Sequence, residues 1–155
     1  MDRRILIFAL APFALLSGGA LAVAQQAGTA AEARTMLDRA VAALNANETA
    51  ALAAFNDKDN NDFHYRDLYV FCFDLTTGAF NAHANPALIG RDSRTIKLGG
   101  EPIGQRIFDI IKNAPEGTVS AVDYIFPKPG TTEPVPKESY VTRIGNEGCG
   151  VGYYK

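Results

Sequence analysis

The stretch Leu68-Tyr69-Val70-Phe71-Cys72-Phe73 decides the fold. Six consecutive β-branched, aromatic or otherwise apolar residues are too few for a typical helix, so the run predicts a central strand. Asp74 through Gly78 supply turn residues, and residues 79–84 return as the second strand of a hairpin. Asn85 and Pro86 stop it.

Upstream of this hairpin, Thr29 with Glu32 three residues later forms a capping box ahead of a segment dense in Ala, Leu and Met. Met36, Leu37, Ala40, Val41 and Leu44 recur at helical spacing, which predicts an amphipathic helix with one buried stripe. Asn45 and Asn47 weaken it, and residues 48–55 resume as a short helix with Leu52 and Phe55 on one side. Downstream, Ile103, Ile107, Ile110 and Ile111 mark another amphipathic helix, ended near Ala114 because Pro115 disfavours helical geometry in the residue before it. Three further strands are predicted at residues 118–126, 138–144 and 149–154, separated by a Pro-rich loop and by a tight turn over Gly145 to Gly148. Consecutive strands with short links pair antiparallel, so the chain reads as α+β.

At the N-terminus, Arg3 and Arg4 precede an uncharged apolar stretch from Ile5 through Ala24, interrupted by Pro12, Gly18 and Gly19. It closes on Ala22-Val23-Ala24, small residues at the positions a signal peptidase reads. The expectation is a signal peptide over residues 1–24, cleaved after Ala24; the alternative is an uncleaved anchor. Removing 24 of the 155 residues leaves 131, the size of one domain. The leader holds two of the 15 basic and one of the 17 acidic residues, so the mature part carries 13 against 16. No basic field attracts nucleic acid, and after Ala24 no apolar run reaches membrane-span length. The two cysteines, Cys72 and Cys149, leave two readings open: a bridge closing a loop of about 77 residues, valued at roughly 4 kcal/mol by chain entropy, or two buried free thiols.

The series Tyr69-Val70-Phe71, Asp74, Gly78, His83 with Asn85-Pro86 and Gly90, Val122-Asp123-Tyr124 with Pro127, Pro136-Lys137 with Ser139-Tyr140-Val141, and Gly150-Val151-Gly152 with Tyr154 resembles a single Cache domain of the second type. The resemblance spans residues 30–155, within a domain taken as 25–155. It implies a long N-terminal helix packed on a five-stranded antiparallel PAS-like sheet, and extracytoplasmic sensing of small molecules, often small carboxylates, as in chemotaxis and other signal transduction. Its topology places the first strand beside the last, which makes the strands of Cys72 and Cys149 neighbours. Members of this family are commonly receptor segments between membrane helices. The expectation here is therefore a free-standing secreted or periplasmic form that acts through a membrane receptor or transporter. A partner-binding accessory module with a vestigial pocket is the alternative reading.

A small organic acid needs a cation, hydroxyl or amide donors, and apolar walls. Lys137, after Pro134, Val135 and Pro136, is the leading cation, presented from a stiff loop at a strand edge; its place in the family's lysine, serine and tyrosine motif strengthens it. Tyr124, Tyr140, His83 and Tyr65 are the other candidate ligand contacts. No metal or cofactor is expected. Asp57, Asp59, Asn61 and Asp62 resemble the start of a calcium loop, but Asp62 stands where glycine is needed and Leu68 where the bidentate glutamate is needed. No nucleophile elbow, phosphate loop or dinucleotide fingerprint is present, which argues against an enzyme; an unrecognised hydrolase is the residual reading.

Overall fold

The computed structural model describes residues 27–155; the expected leader, residues 1–24, and its cleavage after Ala24 lie outside the described residues. The first helix, α1 (Ala30–Ala46), starts where the capping box requires. The Thr29 hydroxyl accepts from the Glu32 N–H, and the Glu32 carboxylate accepts from the Thr29 N–H at 2.8 Å. Asn47 then ends one helix and begins the next. Its N–H donates to the Ala43 carbonyl at 3.0 Å, and its side chain accepts from the Ala50 N–H at 3.0 Å, capping α2 (Glu48–Asn56). The polar residue that weakens the long helix is thus the pivot of the bend.

The sheet is antiparallel and has six strands: β1 (His64–Tyr65), β2 (Leu68–Asp74), β3 (Phe80–Ala82), β4 (Ser120–Pro127), β5 (Pro134–Ile144) and β6 (Glu147–Tyr154). The order is β1-β2-β6-β5-β4, with β3 also paired to β2. The five expected strands are all present, and β1 is an addition of two residues, too short to carry any period. β3 is shorter than expected because the His83 N–H leaves the ladder for the Asn56 side chain at 3.3 Å.

One sequence expectation is corrected at β5. Residues 134–136 are strand and not loop, so Lys137 sits inside β5 and not at its edge. The prolines are tolerated because the pairing with β6 stops beside them: Tyr154 pairs with Lys137, and the Pro136 carbonyl accepts from the Lys155 N–H. Likewise β6 begins at Glu147, which shortens the predicted turn.

The sheet has two covered faces. Leu68, Val70, Cys72, Cys149 and Val151 face Met36, Leu37, Ala40 and Phe55 of α1 and α2. Phe71, Phe73, Val122 and Val141 face the third helix, α3 (Ile103–Asn113), through Ile107, Phe108 and Ile111. Between β2 and β6, Cys72 and Cys149 are register partners joined by a disulfide, with α-carbons 4.1 Å apart.

Candidate ligand-binding site

Side chains alternate along a strand, so Lys137, Ser139 and Val141 of β5 leave the sheet toward α3. On β6 the same face carries Gly148, Gly150 and Gly152, followed by Tyr154. A Cβ on Gly152 would collide with Lys137 Cε and Ser139 Oγ. Because glycine stands there, the lysine stem can lie across β6 and reach β2, where Lys137 Nζ donates to the Tyr69 hydroxyl at 2.9 Å.

Lys137 is 1 % exposed. Its ammonium lies 4.2 Å from the Tyr69 ring centroid, 4.8 Å from Tyr154 and 5.4 Å from Phe126. An ammonium has three donors, and this one has a single hydrogen bond and no carboxylate within ion-pair distance among the described residues. Burial pulls its pKa down to about 7, against a smaller opposing effect of Asp67.

Two groups at its side are neutral. The His83 ring packs against Tyr69, Phe80 and Phe126 at 5.1, 5.3 and 6.0 Å between centroids. Burial first, then the charge of Lys137, lowers its pKa to about 3. His83 Nδ1 accepts from the Asn85 N–H at 2.9 Å, which leaves Nε2 to carry the proton as a donor. Tyr124, register partner of Lys137, shares a 2.8 Å hydrogen bond with Ser139, and burial raises its pKa to about 12.

Tyr69, His83 and Tyr124, but not Lys137 or Ser139, line a cavity of about 40 Å³. Tyr69, Phe71 and Tyr124 line it from the sheet, and Ser93, Ile103 and Ile107 from the covering layer. Tyr69, His83 and Phe126 also line an outer groove of about 680 Å³, so these rings form the partition between cavity and solvent. Lys58, Arg91, Lys97 and Lys128 line the groove, and among the described residues no carboxylate does. In a chain of net charge −2, this gives the groove a local positive potential.

Of the five residues singled out in the sequence, the structure gathers Lys137, Tyr124 and His83. Tyr140 has the opposite parity in β5 and packs on the α1 side, its ring 6.2 Å from Tyr153. Tyr65 lies in β1, 40 % exposed, with the Arg66 guanidinium 4.7 Å over its ring. Neither reaches the cluster. Tyr69, Ser139, Tyr154, Phe126 and Ser93 were not singled out as contacts. The even spacing of Lys137, Ser139 and Val141 with Gly148, Gly150 and Gly152 was the available signal for part of this set. Among the described residues, Cys72, Glu147 and Cys149 place possible metal-ligand atoms within 4.8 Å of one another, but both sulfurs are committed to the disulfide.

No protein-family model matches the chain, and no curated protein matches it. Solved structures do. A periplasmic sensor domain of a chemotaxis protein is 28% identical, with a TM-score of 0.58, over 78% of this chain and 86% of that chain. A Cache chemosensory domain described for its recognition of carboxylic acid is 26% identical, with a TM-score of 0.58, over 77% of this chain and 83% of that one. A methyl-accepting chemotaxis protein from Vibrio parahaemolyticus shares the fold at 19% identity and a TM-score of 0.62, over 80% and 86% of the two chains. The first two of these are named as sensor domains, and none of the three is named as an enzyme. Among the described residues, no helix is long and apolar enough to cross a membrane.

Proposed function

We propose that this single Cache domain, of the second type, is an exported periplasmic sensor for a small carboxylate and works through a membrane receptor or transporter. The observation that carries the reading is Lys137: an ammonium buried among aromatic rings with two donors unused and no anion beside it. Such a group is costly unless it loses its proton or gains a counter-ion. A carboxylate would supply the counter-ion and accept from the free donors, with Tyr124 and His83 as neutral donors at its flanks. The carboxylic acid recognised by one similar sensor domain supports this ligand class. The domain is taken as residues 25–155, after loss of the leader.

The test is a thermal-shift panel of short organic acids on the mature protein, followed by calorimetry on Lys137→Met. The methionine keeps most of the stem's apolar packing but deletes the charge. A charge-assisted hydrogen bond contributes about 1.5–3 kcal/mol, so the variant should bind roughly 10- to 150-fold more weakly while remaining folded. Equal affinity in the variant and the parent would remove Lys137 from the site, and a flat panel would favour the partner-binding module.

A further inference from the structure

The outer groove is cationic but not furnished for a small molecule. Lys128 leans on Asp67 at 3.5 Å, whereas Lys58, Arg91 and Lys97 are exposed and enter no ion pair among the described residues. A small-molecule cleft needs a few convergent polar groups that fix the orientation of its ligand. Here such groups are turned onto the chain itself. The Thr95 hydroxyl donates to the Asp92 carbonyl at 2.7 Å, the Thr131 hydroxyl donates to the Lys128 carbonyl at 2.9 Å, and the Asn85 side chain accepts from the Ala87 N–H at 3.0 Å. Much of the remaining lining is apolar, with Leu88, Ile96 and Leu98, and Ile89 beside Leu88 is left 40 % exposed.

We infer that this groove docks an acidic, extended segment of the membrane partner, with carboxylates on Lys58, Arg91 and Lys97 and apolar side chains on Leu88, Ile96 and Leu98. This rests on the reading that the domain works through such a partner. Charge complementarity selects the occupant, because four basic residues and, among the described residues, no acidic one line the groove of a chain whose net charge is −2. Long, flexible cations around an apolar lining suit a segment whose charges need no single geometry. A bilayer surface would meet the cations but not the floor of a groove. Tyr69, His83 and Phe126 are shared with the cavity, so a segment seated here lies against the partition that separates cavity from solvent.

Titration calorimetry with a short synthetic peptide of glutamate, leucine and glycine provides the test, beside its lysine-for-glutamate and serine-for-leucine counterparts, citrate, and phosphatidylglycerol vesicles. The parent should bind the glutamate and leucine peptide, less tightly as salt rises, and bind every other probe at least about 10-fold more weakly. Joint substitution of Lys58→Gln, Arg91→Gln and Lys97→Gln should weaken the peptide about 3- to 100-fold and leave the melting temperature unchanged, since each exposed ion pair contributes modestly. The joint control Arg34→Gln, Lys112→Gln and Arg143→Gln, outside the groove, should bind as the parent does. No binding of the peptide, equal affinity in the two triple variants, or citrate or vesicles binding as tightly as the peptide would each overturn the inference. So would equal binding of the serine counterpart, which would leave charge alone at work. The organic-acid panel and Lys137→Met read the carboxylate proposal separately: acid binding without peptide docking defeats this inference alone, and peptide docking without acid binding defeats only the carboxylate reading.

Discussion

Burial moves Lys137 and Glu147 in opposite directions for one reason: each is taken toward its uncharged form. Glu147 lies on the α1 side of β6. One carboxylate oxygen accepts from Asn81 Nδ2 at 2.7 Å, and the other has no partner. Burial, with smaller contributions from Glu48 and Asp74 and against the Asn81 bond, raises its pKa from 4.5 to about 7. Between those values the folded chain holds a proton that the unfolded chain has released, so stability falls as pH rises from 4.5 to 7 and this contribution is level above. His83 acts in the other direction, since a folded pKa of about 3 against 6.5 gives stability that is present above 6.5 and lost as pH falls toward 3. Comparing a Glu147→Gln variant with the parent at the same pH isolates the carboxyl. The amide still accepts from Asn81, so the variant should gain about 1–2 kcal/mol in urea unfolding at pH 8, after allowance for partial solvent screening, and nothing near pH 4.5. An equal gain at both pH values would mean that packing, and not ionisation, separates the two proteins.

At the scale of elements, β5 and β6 show what was legible in the sequence and what was not. The capping box at Thr29, the pivot at Asn47 and the isoleucine period of α3 are local signals, and local hydrogen bonds and burial fulfil them. The Pro134–Pro136 segment was not legible, because whether a proline interrupts a strand depends on where the neighbouring strand ends. Parity explains the mixed outcome at the site as well. Lys137 and Tyr124 are register partners and share a face, whereas Tyr140, three residues from Lys137, points to the other. The contact from Lys137 to Tyr69 spans 68 positions in the chain and crosses a whole strand at Gly152, so no sequence period announces it. Gly152→Ala tests that crossing. Its methyl group needs the space of the lysine stem and the Ser139 hydroxyl, so the variant should lose about 1–3 kcal/mol of stability and also bind an acid more weakly than the parent. Unchanged unfolding together with unchanged affinity would show that the stem has room elsewhere.

For the whole molecule, the decisive connection is between the first long strand and the last. β2 and β6 share five register pairs, from Val70 with Val151 to Asp74 with Glu147, and Cys72 with Cys149 is the middle one. The sheet's centre is thus closed by segments 77 residues apart, and every element from β3 through β5 lies inside that loop. Cross-linking such a loop acts mainly on the unfolded chain, whose ends it holds together; in the native sheet, backbone hydrogen bonds already fix the two strands side by side. Breaking the bridge should therefore change stability far more than shape. Unfolded without reductant, the chain should show no titratable thiol, and two thiols would end the disulfide assignment. With reductant present, unfolding should become easier by about 4 kcal/mol, within the model-dependence of the entropic account. Acid binding should change little while the reduced protein remains folded, because Lys137, Tyr124 and His83 are held from the opposite face of the sheet. A loss of affinity that precedes any loss of structure would show instead that the disulfide sets the spacing of β2 and β6 on which the lysine's reach depends.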